Sequence, residues 1–87
     1  MMYKVRLSTE AQGFYAAASL PIAKKIAKCL LQLEKTPLQH PNIKPLKGKL
    51  WGYYRYRIGD YRVVYLIDEQ TNQVLVDTIA HRGKVYD

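Results

Sequence analysis

The stretch YYRYRIGDYRVVY, residues 53–65, places five tyrosines and three arginines around a Gly59–Asp60 turn. The residues on either side of this turn have the composition and alternation of two β-strands, at about 53–58 and 61–67. A third strand is predicted at about 73–80, after a further polar turn. The stretch therefore predicts an antiparallel meander at the centre of the fold.

The chain before this stretch predicts one strand and two helices. Residues 3–8 alternate between apolar and polar side chains, which is typical of a half-buried strand. Thr9 and Gln12 fit a capping box at the start of a short helix. Ser19 and Pro21 fit the start of a second helix, because proline is tolerated in a first helical turn. The second helix carries one apolar stripe, formed by Ile22, Ile26, Cys29, Leu30 and Leu33.

The order of these elements predicts the fold class. Residues 36–45 contain three of the four prolines and predict a loop between the helices and the meander. The resulting order β-α-α-β-β-β predicts a single α+β domain over residues 1–87. Its N-terminal strand and helical hairpin would pack on a small twisted antiparallel sheet. A sheet covered on one face leaves the other face open for binding.

The cysteine count and the pattern of apolar residues predict the cellular location of the protein. A single cysteine, Cys29, excludes an internal disulfide, and its place in the apolar stripe predicts a core residue. The first ten residues contain no apolar signal-peptide core, and no run approaches the roughly 20 apolar residues of a membrane-spanning helix. We therefore expect a cytoplasmic protein without a membrane partner.

The charge of the chain predicts a polyanionic partner. Fourteen basic residues against seven acidic ones give a net charge of +7. Between residues 44 and 62 there are six basic residues and one acid, which makes a patch rather than a scatter. The simpler alternative is a basic surface that serves solubility alone.

Strand alternation assigns the arginines of the opening stretch to one face. Arg55 and Arg57 alternate with Tyr54 and Tyr56, so the two residue types lie on opposite faces. Burying guanidinium groups without partners costs several kcal/mol, so we expect the arginine face to point outward, with Arg62 on the same side. The tyrosine face would then be mostly core. Arginine binds phosphate with a planar fork and stacks on bases, which favours nucleic acid over solubility.

Other kinds of chemistry have little support in the sequence. His40 and His81 lack the spacing of a zinc site. The chain has no phosphate-binding nucleotide loop of the GxxxxGK[ST] type and no evident pair of catalytic carboxylates. We therefore predict neither a cofactor nor a metal.

Three segments together resemble the RelE/ParE toxin superfamily of bacterial type II toxin–antitoxin systems. They are Leu46-Lys47-Gly48, the stretch from Gly59 to Tyr65, and His81-Arg82 followed by Val85-Tyr86. The resemblance covers essentially the whole chain and points to its RelE-like branch, whose members cut mRNA in the ribosomal A site. It departs at residues 55 and 57, where family members often carry lysine.

The resemblance implies a metal-independent endoribonuclease that uses the RNA 2′-OH as its nucleophile. Arg62 and Arg82 would hold the phosphate, and Tyr86 would stack on a base or transfer a proton. Arg55 and Arg57 would bind the RNA backbone or assist proton transfer. His81 is a residue type often used as a general base, but strand alternation favours a structural role. Contacts with RNA or the ribosome are assigned to Lys44, Lys47, Lys49 and Lys84.

The resemblance also implies partners, namely a RelB-like antitoxin in a hetero-oligomer, the ribosome and mRNA. Two other functions remain open at this point. The first is poisoning of DNA gyrase, as in the ParE-like branch. The second is a non-catalytic module that binds RNA or an acidic protein through the same basic face.

Overall fold

The computed structural model describes residues 2–84, which form two helices and a five-stranded sheet. The strands are β1 (Lys4–Leu7), β2 (Ile43–Pro45), β3 (Tyr54–Ile58), β4 (Tyr61–Asp68) and β5 (Gln73–His81). The helices are α1 (Thr9–Ala17) and α2 (Leu20–Lys35), and single 3-10 turns cover Gly48–Leu50 and Arg82–Lys84. No helix within residues 2–84 has the length and apolar character needed to cross a membrane.

The strand order is β1-β5-β4-β3-β2, and both helices pack on one face of the sheet. The predicted α+β class, the helical hairpin and the β3-β4-β5 meander are confirmed. The predicted antiparallel sheet is extended by β1, which pairs with β5 in parallel, so the complete sheet is mixed. The connection from β1 to β5 runs through both helices and three strands, which is long enough for the two strands to lie parallel.

The predicted loop at residues 36–45 contains a short strand that the sequence analysis missed. Ile43 pairs with Tyr56 and Pro45 pairs with Tyr54, so β2 extends the sheet beside β3. Proline cannot donate a ladder hydrogen bond, but β2 is an outer strand, where that loss is tolerated.

The start of α1 lies one residue earlier than predicted. Ser8, not Thr9, is the N-cap, and its Oγ accepts a hydrogen bond from Ala11 N at 3.0 Å. The predicted role of Gln12 is also wrong, since its Nε2 donates to Leu7 O instead. The start of α2 agrees with prediction, with Ser19 at the N-cap position and Pro21 in the first turn.

The core lies between the helices and the sheet. The predicted stripe of α2 is confirmed, with Ile26, Cys29 and Leu33 fully buried against the tyrosine side of the sheet. Burial raises the pKa of the Cys29 thiol to about 12, which keeps it protonated and unreactive at neutral pH. Cys29 is therefore a core residue, as predicted.

The tyrosines of β3 and β4 belong mostly to this core. Tyr65 is fully buried, and its hydroxyl donates a hydrogen bond of 2.6 Å to Pro37 O. The Tyr54 and Tyr65 rings stack at 5.8 Å, and Tyr56 is buried. Burial raises the pKa of Tyr65, so its hydroxyl remains a donor. This confirms the division of the opening stretch into a tyrosine face and an arginine face.

Candidate functional site

The arginines lie on the face of the sheet opposite the helices. Arg57 of β3 is directly opposite Arg62 of β4, and Arg55 is opposite Val64. Residues opposite one another in an antiparallel pair project from the same face. The predicted grouping of Arg55, Arg57 and Arg62 on one face is therefore confirmed.

The environment of Arg62 differs from the outward position expected for this face. The residue is only 6% exposed. Its Nη1 donates to Gly59 O at 2.9 Å and to Tyr61 O at 3.0 Å. Burial is possible because the Gly59 and Tyr61 carbonyls supply acceptors for the guanidinium, and these carbonyls converge only in the folded chain. Arg57, in contrast, is exposed as predicted.

The turn between β3 and β4 brings Arg82 to the same end of the sheet. Gly59 has a φ of 55°, a conformation that glycine adopts readily. Arg82 N donates to Asp60 O at 2.7 Å, and Arg82 Nε lies 3.7 Å from Asp60 Oδ1. Arg57, Arg62 and Arg82 thus surround one turn, and we call these three residues the arginine cluster.

Arg55 is oriented by a residue that sequence reasoning missed. Its Nη1 donates to Asn42 O at 2.7 Å, and the same oxygen accepts from Arg57 N at 2.9 Å. Asn42 Nδ2 returns a hydrogen bond to Arg57 O at 3.0 Å. Asn42 lies in the proline-rich segment before β2, where no sequence pattern marks it as a support for the arginine face.

The four predicted lysines are all exposed but do not lie together. Lys44 of β2 is opposite Arg55, so it extends the row of basic side chains across the sheet. Lys47 is the N-cap of the 3-10 turn that precedes β3, and Lys49 lies within that turn, at the end of β3 away from Gly59. Lys84 lines a groove between α1 and β5, with a volume of about 650 Å³.

His81 does not lie on the arginine face. It is opposite Tyr61, whereas Arg62 is opposite Ala80, so alternation turns His81 toward the helix side. Its ring packs edge-on against Tyr61 at 5.6 Å, and its Nδ1 accepts from Gly83 N at 3.4 Å. These contacts agree with the predicted structural role.

Two further predictions concern Tyr86 and metal binding. Tyr86 lies outside the described residues, so its predicted role stays a prediction. Within residues 2–84, no group of three or more His, Cys, Asp or Glu side chains is placed to hold a metal ion.

The chemistry available to the arginine cluster follows from its guanidinium groups. Arginine stays protonated at all physiological pH values, so the cluster can bind a phosphate and stabilise developing negative charge. The same property prevents these side chains from acting as ordinary general bases. The site is therefore suited to binding a phosphate group.

Comparison with known proteins identifies relatives over most of the chain. Residues 5–86 match the family described as ParE toxin of type II toxin-antitoxin system, parDE. Toxin RelG of Mycobacterium tuberculosis is 30% identical over 87 residues, which cover 99% of this chain and 98% of that protein. Toxin RelE of the same organism is 38% identical over 68 residues, which cover 75% of this chain and 70% of that protein.

The fold also matches a solved structure. The crystal structure of the toxin-antitoxin complex RelBE2 from Mycobacterium tuberculosis contains a chain that superimposes with a TM-score of 0.82 at 29% identity. The match covers 94% of this chain and all of that one, so the helical hairpin and the five-stranded sheet are shared.

Proposed function

Since the chain belongs to the ParE toxin family, within the RelE/ParE superfamily, it is a toxin of a type II toxin–antitoxin system, and we propose that it cleaves mRNA on the ribosome. The family description carries the ParE name, whereas the two named relatives are called RelE and RelG. The name of the family therefore does not choose between its branches. The choice between mRNA cleavage and gyrase poisoning therefore rests on the geometry of the candidate site.

The observation that carries this proposal is the arginine cluster. Arg57 and Arg62 are direct neighbours across β3 and β4, and the 2.7 Å bond from Arg82 N to Asp60 O fixes the third arginine at the same turn. Several guanidinium groups around one point can surround a phosphate and stabilise the charge that builds up on it during its attack. This arrangement suits a nuclease, whereas solubility alone does not require it.

The proposed reaction is an internal transfer within the RNA. The 2′-oxygen forms a bond to the adjacent phosphorus as the bond from phosphorus to the 5′-oxygen breaks. The products are a 2′,3′-cyclic phosphate and a 5′-hydroxyl. One proton leaves the 2′-OH and one reaches the departing 5′-oxygen, so atoms and charge balance without a metal ion.

The cluster and its neighbours divide the tasks of this reaction. Arg62 is fixed by two backbone carbonyls, so it presents a preorganised positive charge to the phosphate. Exposed Arg57 and Arg82 close on the phosphate oxygens, and Arg55 and Lys44 bind the neighbouring backbone. Tyr86 stacks on a base or carries one of the two protons.

The ribosome completes the site in this proposal. Arginines do not serve as ordinary proton acceptors, so the protein alone is a weak nuclease on free RNA. The ribosome fixes the mRNA in a geometry close to in-line attack, and such positioning contributes several kcal/mol to catalysis. The net charge of +7 favours docking on ribosomal RNA.

The proposal includes a RelB-like antitoxin as the inhibitor in a hetero-oligomer. A relative of the same fold was crystallised as a toxin–antitoxin complex. An acidic segment that orders on binding would pair with the arginine face and exclude phosphate from it. Because such pairing is electrostatic, we expect salt to weaken part of the binding.

The test is cleavage of a defined mRNA by purified protein on programmed ribosomes. We expect cuts within the coding region, 2′,3′-cyclic phosphate ends, and no effect of a metal chelator. Arg82→Ala should lower the cleavage rate by about 10²–10³, the cost of removing one donor to a developing charge. Its affinity for ribosomes should fall much less.

Two other outcomes would overturn the proposal. Intact mRNA together with accumulation of cleaved DNA on gyrase would establish the gyrase-poison function. The family description, which names a ParE toxin, is compatible with that function. If Arg82→Ala lowers ribosome affinity and cellular growth arrest in parallel, with no cleavage by either protein, the chain is a non-catalytic binding module.

A further inference from the structure

Trp51, the chain's one tryptophan, is the most exposed large apolar residue in the described structure at 82% exposure. It lies in the connection between β2 and β3, outside the hydrophobic core and outside the arginine cluster. An indole held in water contributes nothing to the core. Its position calls for a ligand with an apolar face.

The backbone around Trp51 is held in place by hydrogen bonds. Trp51 N donates to Gly48 O at 3.1 Å, and Tyr53 N donates to Leu50 O at 2.9 Å. Gly48 and Gly52 on either side have φ values of 66° and 98°, which side-chain-bearing residues rarely adopt. The segment is a hydrogen-bonded tip rather than a loose loop, so a ligand that binds here meets little ordering cost.

The charge beside Trp51 identifies the class of ligand. Lys47 and Lys49 are exposed within the same tip, and Lys44 continues the basic row toward Arg55. Aromatic rings set among cations bind single-stranded nucleic acid, because bases stack on the rings while phosphates are neutralised. An apolar protein surface would fit the indole but would leave the lysines without a counter-charge.

Trp51 and the arginine cluster lie at different ends of β3. Trp51 precedes β3, whereas Arg57 is near the end of that strand, beside Gly59. At about 3.3 Å per residue along β3, the backbone positions of Trp51 and Arg57 lie roughly 10–20 Å apart. Trp51 and the arginine cluster therefore lie at opposite ends of β3.

We propose that Trp51 is a stacking platform for an unpaired base of ribosomal RNA, with Lys47 and Lys49 on the flanking phosphates. This inference rests on the proposed function, because it assigns the ribosome contact that places the arginine cluster on mRNA. It adds a binding site that is separate from the residues that act on the scissile phosphate.

The first test measures binding to ribosomes that carry no mRNA, with Arg82→Ala present in every protein so that nothing is cut. Adding Trp51→Ala or Trp51→Leu should weaken binding by roughly 5- to 150-fold, the effect of removing an aromatic ring from a base. Trp51→Phe should retain most of the affinity. Leu31→Ala, which removes another exposed apolar side chain on α2 (57% exposed), is the matched control and should have no effect.

A second measurement reads the indole directly. Its fluorescence reports this tip alone, since the chain has no other tryptophan. Protein-free ribosomal RNA should quench the fluorescence of the Arg82→Ala protein, and a short mRNA oligonucleotide should do so far less.

Several results would overturn the inference. Equal ribosome binding by all Trp51 variants would do so, and so would full affinity in Trp51→Leu, which indicates an apolar protein contact. Quenching by the mRNA oligonucleotide alone would assign the indole to the substrate strand. These results are independent of cleavage by the unmodified protein, so failure of the stacking site is distinguishable from failure of the nuclease function.

Discussion

Replacing Arg62 and Arg82 one at a time by alanine should separate a structural arginine from a purely functional one. Both residues belong to the arginine cluster, so both substitutions should abolish most cleavage. Only Arg62 is buried and bonded to backbone carbonyls. The two variants should therefore differ in stability while they agree in activity.

The expected difference follows from the contacts. A hydrogen bond from a charged group contributes about 1.5–3 kcal/mol, and Arg62 makes one to Gly59 O and one to Tyr61 O. Gly59 is exposed, so water recovers part of the loss, and we expect Arg62→Ala to cost about 1–3 kcal/mol. Arg82 and Asp60 are 63% and 66% exposed and 3.7 Å apart, so Arg82→Ala should change stability by less than about 0.5 kcal/mol.

Thermal unfolding followed by circular dichroism measures this difference. In a domain of this size, 1 kcal/mol corresponds to roughly 4–8 °C in Tm. Arg62→Ala should unfold about 5–20 °C below the unmodified protein, and Arg82→Ala within about 4 °C of it. Equal shifts in both variants, or an unchanged Tm in Arg62→Ala, would refute the assignment of Arg62 as a support of the Gly59–Asp60 turn.

Two further predictions concern the core. Tyr65→Phe should lower the free energy of unfolding by about 1–3 kcal/mol in urea titration, because it leaves Pro37 O without its 2.6 Å donor; an unchanged midpoint would show that this bond adds no stability. Burial raises the pKa of Cys29 from 9.0 to about 12, so its contribution to stability is fully present below pH 9 and is lost as the pH rises toward 12. Urea midpoints should fall over that range and fall less in Cys29→Ala, and equal slopes in the two proteins would contradict the prediction.

Local patterns accounted for the parts of the fold that depend on one segment at a time. The stripe of α2 and the alternation of Arg55 and Arg57 with their tyrosine neighbours follow from helix and strand periods alone. The cap of α1 was misplaced by one residue because Ser8 also fits the end of the alternating strand. Its role becomes evident only from two contacts, since Ser8 Oγ accepts from Ala11 N and donates to Asp77 O.

The features that were not predicted depend on contacts with other segments of the chain. β2 was missed because proline signals a loop, and only the neighbouring β3 makes residues 43–45 a strand. The burial of Arg62 depends on carbonyls that converge when the Gly59–Asp60 turn closes. Asn42 and Trp51 belong to no periodic pattern, so their places beside the arginine row and at the β2–β3 tip were visible only in three dimensions.

The parallel pairing of β1 with β5 has a consequence for the order in which the fold is completed. Ser8 at the end of β1 bonds to Asp77 of β5, 69 residues later in the chain. Contacts with such large sequence separation form slowly, since the loop between them must close first. A chain still in synthesis contains β1 before it contains β5, and its Arg82 is not yet made. The bond from Arg82 N to Asp60 O can form only when the chain is nearly complete, so the arginine cluster is among the last features to gain its geometry.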